Sequence, residues 1–316
     1  MANFLSTPTD MLTTGTNPLA LVEGALKAYR EVNTVVDFYN KIFEIKETER
    51  AFEIIQMGIP SGMSKFKAEG AAIKPNSVGV AWNSQFQLKN YGSSLSVSAE
   101  MLMFNTIEKQ WPQLEANLKK SILLTRNILA TSVLEKGFTV VDGASTFLGQ
   151  PLFSEEHQLV NGTMSNKLPN MALSTQSVAL MQQQMSQCKD MAGNPDPMSP
   201  TALIVSPMQQ RAAFRIIGSY YDPESANLGV NFSGPANLGS NFPVIVNPYS
   251  DNQGAFYMTT NLITPGLLAY FYPGGNKVEY KNSPDTQTST MYTSNFMCFG
   301  VHDYRAIYGA EIPGGL

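Results

Sequence analysis

The chain has 316 residues, of which only 15% are Asp, Glu, Lys or Arg and 43% are hydrophobic, and it carries a formal net charge of −4. That charge fraction is well below the roughly 25% of ordinary soluble domains; Asn, Gln, Ser and Thr take its place, giving a polar surface that repels its own copies weakly. No basic run argues for tight nucleic-acid binding, no apolar run nears the roughly 20 residues of a membrane span, and two cysteines, Cys188 and Cys298, are too few for a disulfide framework and wrongly spaced for a zinc ribbon or finger.

In chain order, Met1 to Asn17 is Thr-rich, lacks the basic and apolar regions of a secretory signal, and reads as a flexible arm. A first helix is expected from Leu19 to Glu49, with Val22, Leu26, Tyr29, Val32, Val36, Tyr39 and Phe43 on one face. A long strand follows from Val78 to Leu88: Val78, Val80, Trp82, Phe86 and Leu88 share one parity, and only Ser84 breaks that apolar face. At about 3.3 Å per residue it spans roughly 35 Å, twice the ordinary strand. Its expected antiparallel mate is Met63 to Ile73, joined through Lys74, Pro75 and Asn76. Such a hairpin either projects, with Lys65, Lys67, Lys74 and Lys89 keeping its edges soluble while Trp82 and Phe86 seek cover elsewhere, or folds back on its own domain.

A helix from about Trp111 to Lys136 is predicted by Ile107, Trp111, Leu114, Leu118, Ile122, Thr125, Leu129 and Val133, with Glu108, Glu115, Lys119, Lys120 and Arg126 off that stripe. Asn105 and Glu108 resemble a capping box and Gly137 ends the helix, which at about 1.5 Å per residue is roughly 40 Å long, a spine across a sheet. Val140 to Asn170 is irregular. Beyond it, a helix from Thr175 to Met191, a short buried strand Leu203-Ile204-Val205, and a helix from Met208 to Ile217 form an α/β module. Leu267 to Tyr272, Lys277 to Tyr280 and Phe296 to Tyr308 are β-prone and close a sheet.

Chemistry is hard to find. No phosphate-binding Gly-rich loop, nucleophile elbow or His-Glu-x-x-His helix is present. Glu155, Glu156 and His157 are adjacent and converge poorly on one metal ion; a solvated loop face is the expectation. His302 with Asp303 could supply a base and its orienter, and either cysteine a nucleophile, but a hydrogen-bonded strand histidine is favoured. Met181 and Met185 read as core filling. No catalytic, cofactor-binding or metal residue is assigned, and the chain is read as a non-enzyme.

The landmarks, in their order, resemble tailed-phage major capsid proteins of the Hong Kong 97 (HK97) fold, the Mu-type major head subunit above all. Phe66 to Ala71 opens what is similar to the family's extended loop, and Asn90-Tyr91-Gly92 with Val97 to Met101 closes it. Trp111 to Lys136 matches the spine, Pro151 to His157 with Gly162, Thr163, Ser165 and Asn166 the passage to the axial domain, and Phe299 to Gly309 the last peripheral strand. The resemblance implies an α+β fold: an arm and helix over 1–55, an extended hairpin loop over 56–100, a peripheral domain with the spine over 101–167, an α/β axial domain over 168–264, and closing strands over 265–316. It implies self-assembly as hexamers and pentamers into an icosahedral shell around double-stranded DNA, made in the bacterial host cytoplasm and located in the virion. Its partners would be copies of itself, a portal, scaffolding and cement proteins, and weakly held DNA, with no membrane and no cofactor. Lys65, Lys67, Lys74, Trp82, Phe86 and Tyr91 are the expected assembly residues, and the arm would cross a neighbouring subunit. With no long charged helix ahead of the capsid region, scaffolding is expected to be a separate protein. An encapsulin-type nanocompartment shell and, from another class, a soluble α/β enzyme are the alternatives.

Overall fold

The computed structural model describes residues 37–60, 64, 66–70, 72, 79–98, 100–101, 111–139, 147, 149–224, 229–238, 242–274, 278–283 and 285–312. Strand β1 is Glu44–Glu47, β2 Phe52–Ile59, β3 Gly79–Gln87 and β4 Lys89–Ser98; helix α1 is Trp111–Glu135, and β5 (His157–Leu159) pairs with β6 (Gly162–Met164). Then come α2 (Thr175–Ser186), β7 (Pro200–Val205), α3 (Gln210–Gly218), β8 (Val244–Val246), β9 (Phe256–Thr260), β10 (Leu267–Phe271), β11 (Val278–Ser283), β12 (Thr288–Val301) and β13 (Ile307–Ala310).

Two main sheets share one core. In the first, the long β12 is flanked on one edge by β4 and on the other by β10 and β11 end to end, while β1 adds in parallel to β10. The second has the order β13-β9-β7-β8, with β7 and β8 parallel. The chain crosses between sheets at 302–306, so this closing segment ties both together, and residues 301–310 are all buried.

Several expectations are corrected. The helix expected over 19–49 does not reach its end: by Tyr39 the chain is a single 3-10 turn and by Glu44 a strand, because Phe38 and Tyr39 are buried beside α1 and β1 is drawn into the sheet by β10. Residues 19–36 of it, like Asn105, Ile107 and Glu108, lie outside the described residues. The mate of β3 is Phe52–Ile59, not Met63 to Ile73, and the expected turn residues Lys74, Pro75 and Asn76 lie outside the described residues. Helix α2 stops at Ser186, where Cys188 turns away to be buried.

Helix α1 ends as expected, and Gly137 shows why: a Cβ there would lie 2.9 Å from the Phe153 ring, in the following 3-10 turn. Its buried stripe is rotated from the prediction. Leu118, Ile122, Ala130 and Leu134 face the core together with Arg126 and Asn127, which were expected outside or were unassigned. Arg126 is covered because its guanidinium carbon lies 4.5 Å from the Phe271 ring centroid and its nitrogens reach Tyr39 Oη and Asn295 Oδ1. Asn127 Oδ1 accepts the backbone N–H groups of Phe38 (2.9 Å) and Tyr39 (3.2 Å), and Nδ2 donates to Leu123 O. At the helix end Thr131 bonds Asn247, and the Glu135 carboxylate accepts from Ser250 Oγ, Asp251 N and Asn252 N, gathering that loop onto the spine.

Candidate assembly surfaces

The β2–β3 ribbon has two different faces. On the inner one, Trp82 Nε1 donates to His302 O at 3.0 Å while its ring meets Phe147 and Tyr304 at centroid distances of 5.3 and 5.7 Å. Phe86 is fully buried on Leu268 and Tyr270. Ser84, the polar exception on this face, is 3.1 Å from His302 Nδ1, so the break in the alternation is a buried hydrogen bond. The expectation that Trp82 and Phe86 need cover from outside is corrected: their own subunit covers them, because β3 runs directly over the crossing at 302–304.

The outer face is the one left open. Phe52, Ile54 and Val80 are 51%, 51% and 54% exposed, and Phe66, beyond the ribbon, is 97% exposed. The sequence signal for this was available: Phe52 and Ile54 on one parity with Ile55, Met57 and Ile59 on the other make a strand apolar on both faces, which requires two layers of cover. Lys67 and Lys89 are exposed, and Tyr91 is half-buried against the main core opposite Asn295. Lys65 and Lys74 lie outside the described residues.

A second open surface lies on the α2–α3 side. Met208, Phe214, Tyr220, Tyr221, Val230 and Phe232 are all exposed. The segment bearing four of them is braced: Tyr221 bridges Val230, buried Asn231 donates to Ile216 O and Ser219 O, and Glu224 accepts from Thr175 N and Oγ1. Beside it is an open groove of about 770 Å³ between α2 and residues 232–238, walled by Gln176, Leu180, Gln183, Gln187, Pro200 and Phe232, with no charged side chain among the described residues of its lining. Met181 and Met185 point the other way, into the core, fully buried.

Beneath the ribbon, reached from Trp82 through Tyr304, lies a polar node whose burial the sequence reading missed. Asn166 is completely buried; its Oδ1 accepts from Ser154 N, and its Nδ2 donates to Leu152 O (2.8 Å), Tyr304 O (3.1 Å) and Ile307 O (3.2 Å). His157 Nε2 lies 3.1 Å from Leu152 O and 3.0 Å from Asn166 Oδ1; two acceptors at one nitrogen assign the proton to Nε2. Its ring stacks on Tyr304 at 3.8 Å, so His157 is a core group rather than part of a solvated loop face, while Glu155 and Glu156 remain exposed. Asp303 caps the 304–306 turn and holds Arg305 bidentately, and Arg305 reaches Asp196 at 2.9 Å.

Burial holds His157 down at about 4 against the opposing hydrogen bonds from Asn166 and Leu152. Above its ordinary 6.5 the imidazole is neutral folded or unfolded; below it the unfolded chain takes up a proton that the folded one refuses until about pH 4. Stability therefore falls across that window, by roughly 3 kcal/mol for this group. Urea midpoints at pH 7 and 4.5 should converge in His157→Gln; an unchanged pH slope would assign the loss to other groups.

His302 is likewise pushed down by burial, and its Nδ1 is committed to Ser84, so it is a hydrogen-bonded residue one position past β12. Burial pushes the Cys188 thiol up to about 11 and raises that of Cys298. Both thiols are held in the protonated, weakly nucleophilic form. Among the described residues no group of three or more His, Cys, Asp or Glu converges as a metal site, and no helix is long and apolar enough to cross a membrane.

A family model described as "Phage capsid protein" matches residues 83–310, from within β3 through the spine to the end of the closing strand β13, with β1 and β2 ahead of the match. The chain belongs to the phage capsid protein family. Solved structures agree in fold with this capsid protein. A Mycobacterium phage Patience structure is 12% identical, with 96% of this chain and 91% of that one covered and a TM-score of 0.55. The capsid of Ralstonia phage GP4 is 11% identical, with 85% and 86% covered and a TM-score of 0.54. A virus-like particle from Pyrococcus furiosus is 12% identical, with 93% and 98% covered and a TM-score of 0.50. No curated protein sequence matches the chain. The fold is the HK97-type α+β capsid fold, and the protein is a shell-forming structural subunit of the virion capsid. For a capsid protein the open hairpin face and the braced aromatic segment are where a search for function belongs, and the histidines and thiols are part of the scaffold beneath them.

Proposed function

We propose that this capsid subunit assembles as hexamers and pentamers into an icosahedral head enclosing double-stranded DNA, built in the host cytoplasm with portal, scaffolding and cement proteins. The observation that carries the reading is the two-faced ribbon: a base fixed to its own subunit by Trp82, Ser84 and Phe86, and an outer face with Phe52, Ile54 and Val80 left open. A ribbon fixed at one face and apolar on the other is built to be covered by a second body, and neighbours in obligate assemblies commonly bury about 2,000 Å² or more. The division of labour we propose keeps 56–100 as the reaching hairpin, 101–167 as the spine-bearing peripheral part, 168–264 as the axial part and 265–316 as the closing strands. The mildly acidic rear, with 7 Lys plus Arg against 12 Asp plus Glu over 137–316, is suited to enclosing DNA without trapping it.

The triple variant Phe52→Ser/Ile54→Ser/Val80→Ser is expected to fold with a stability within about 1 kcal/mol of the parent, since half-exposed positions lose little, yet to form no closed shells by negative-stain microscopy. Normal particles from this variant would remove the hairpin from assembly. Nuclease-resistant DNA inside native particles is the expected content; a protein cargo instead would favour a nanocompartment.

A further inference from the structure

The groove beside α2 is neutral and carries an unmet hydrogen-bond donor. Among the described residues its lining has no charge and is rich in amides, with Gln176, Gln182, Gln183 and Asn237 set beside Leu180 and Phe232. Gln182 is only 4% exposed. Its Oε1 accepts from Asn237 Nδ2 at 3.2 Å, while its Nε2 finds no acceptor among the described residues. Buried donors are seldom left so, because they have given up water for nothing in return. Such a groove suits an uncharged occupant that brings a hydrogen-bond acceptor together with apolar surface; a phosphate, carboxylate or ammonium group would lose hydration against it and find no counter-charge.

The chain itself presents a surface of that chemistry. Tyr220, Tyr221 and Val230 stand out at 63%, 58% and 77% exposure, and the two acids beside them are turned back: the Asp222 carboxylate accepts from Glu224 N, and that of Glu224 from Thr175 at the start of α2. The backbone here is fixed in the free subunit, with Asp222 N bonded to Gly229 O, Asn231 N to Tyr220 O, and the buried Asn231 amide to the Ile216 and Ser219 carbonyls. Little ordering entropy is therefore left to lose on docking. Phe232 ends this segment and also walls the groove, so knob and hollow belong to one face, and every copy that offers one offers the other. A tyrosine ring packs on Leu180 and Phe232 as any aromatic does, and its hydroxyl both accepts from and donates to glutamine amides. We propose that the α2 groove of one capsid subunit receives the Tyr220–Tyr221 knob of a second copy, a tyrosine hydroxyl supplying the acceptor that Gln182 Nε2 lacks. The inference rests on the assembly reading above and names two of the surfaces that meet in it.

The test is oxidation of particles assembled from Gln183→Cys/Tyr221→Cys subunits, position 183 being an exposed part of the groove wall. Disulfide-linked products of two or more subunits are expected on non-reducing gels, with peptide mapping placing the bond between positions 183 and 221. They should be at least tenfold more abundant than from Gln183→Cys/Phe52→Cys, the pair that samples the open ribbon face as the occupant instead. Well-formed particles that stay at single-subunit mass, an intrachain bond, or a stronger link from the Phe52→Cys pair would each overturn the proposal. A second variant needs no disulfide. Gln183→Arg/Gln187→Arg changes two exposed groove positions, so it should keep the parent's urea midpoint while its charges lower particle yield at least tenfold; parental yield would overturn the contact. Negative-stain images of the parent read the shell separately: particles from the parent and from the arginine variant alike leave the shell reading standing and remove only this joint.

Discussion

Asn166→Ala is expected to cost the subunit about 3–5 kcal/mol, enough to remove most of a typical domain's stability. The side chain is fully buried and serves Ser154 N, His157 Nε2 and three carbonyls, those of Leu152, Tyr304 and Ile307, at once. Alanine takes the amide away from Ser154 N and from the Tyr304 and Ile307 carbonyls, while His157 Nε2 and Leu152 O keep each other at 3.1 Å, and buried polar groups left unsatisfied each cost about 1–3 kcal/mol before the site relaxes. The loss propagates because the three carbonyls belong to the loop after the spine and to the crossing between the two sheets. Asn166→Asp keeps the acceptor but sets a buried carboxyl oxygen against three carbonyl oxygens, so it should cost at least as much as alanine. Urea denaturation of the unassembled subunit measures the effect, and a change below about 1 kcal/mol for the alanine variant would mean that water replaces the amide and that the node is not a keystone.

Trp82→Ala is expected to cost a further class of stability, about 3–5 kcal/mol, through a cavity against Phe147 and Tyr304 together with the orphaned His302 carbonyl. Trp82→Phe, which keeps an aromatic ring and loses only the indole donor, should cost about 1–2 kcal/mol. The regional signature matters more than the total. Amides of β2 and β3 should exchange faster in Trp82→Ala than those of the buried half of α1, because the indole joins the ribbon to the sheet crossing through His302 O and Tyr304. If Trp82→Ala instead left the subunit as stable as the parent and harmed only shell formation, Trp82 would be a neighbour-contact residue, as its place on a long alternating strand first suggested.

The differences between sequence and structure come down to which partner each pattern finds. The alternation of Val80, Trp82, Phe86 and Leu88 made a strand of this segment, but its register partner was misplaced, because Met63 to Ile73 and Phe52 to Ile59 are both strand-compatible and only pairing with β3 separates them. The spine's extent was readable from its long apolar repeat and Gly137, whereas its rotation was not: Arg126 is buried by a cation–π contact with Phe271, 145 residues away in sequence, which no helical wheel contains. The expected helix over Tyr39 to Glu49 failed for the same reason, since β10 offers those residues a sheet edge. His157, in a polar Glu-Glu-His run, looked solvated, and only the stacking of Tyr304 on it revealed a core histidine. Asn166 entered the sequence reading only as a landmark of the passage to the axial domain, and its buried role was not legible, because an asparagine in an irregular stretch reads as turn chemistry whether it faces water or five buried partners.

By itself, then, the amino-acid order determined the class of molecule: a low-charge α+β chain with a reaching strand, a long spine and an aromatic closing segment, since periodicity and composition act locally and survive without a partner. Tertiary structure alone decided which face of the ribbon is fixed and which is open, where the spine's stripe points, and that the histidines support rather than react. Those properties depend on contacts between residues far apart in the chain, and burial, unlike periodicity, exists only after the elements have met.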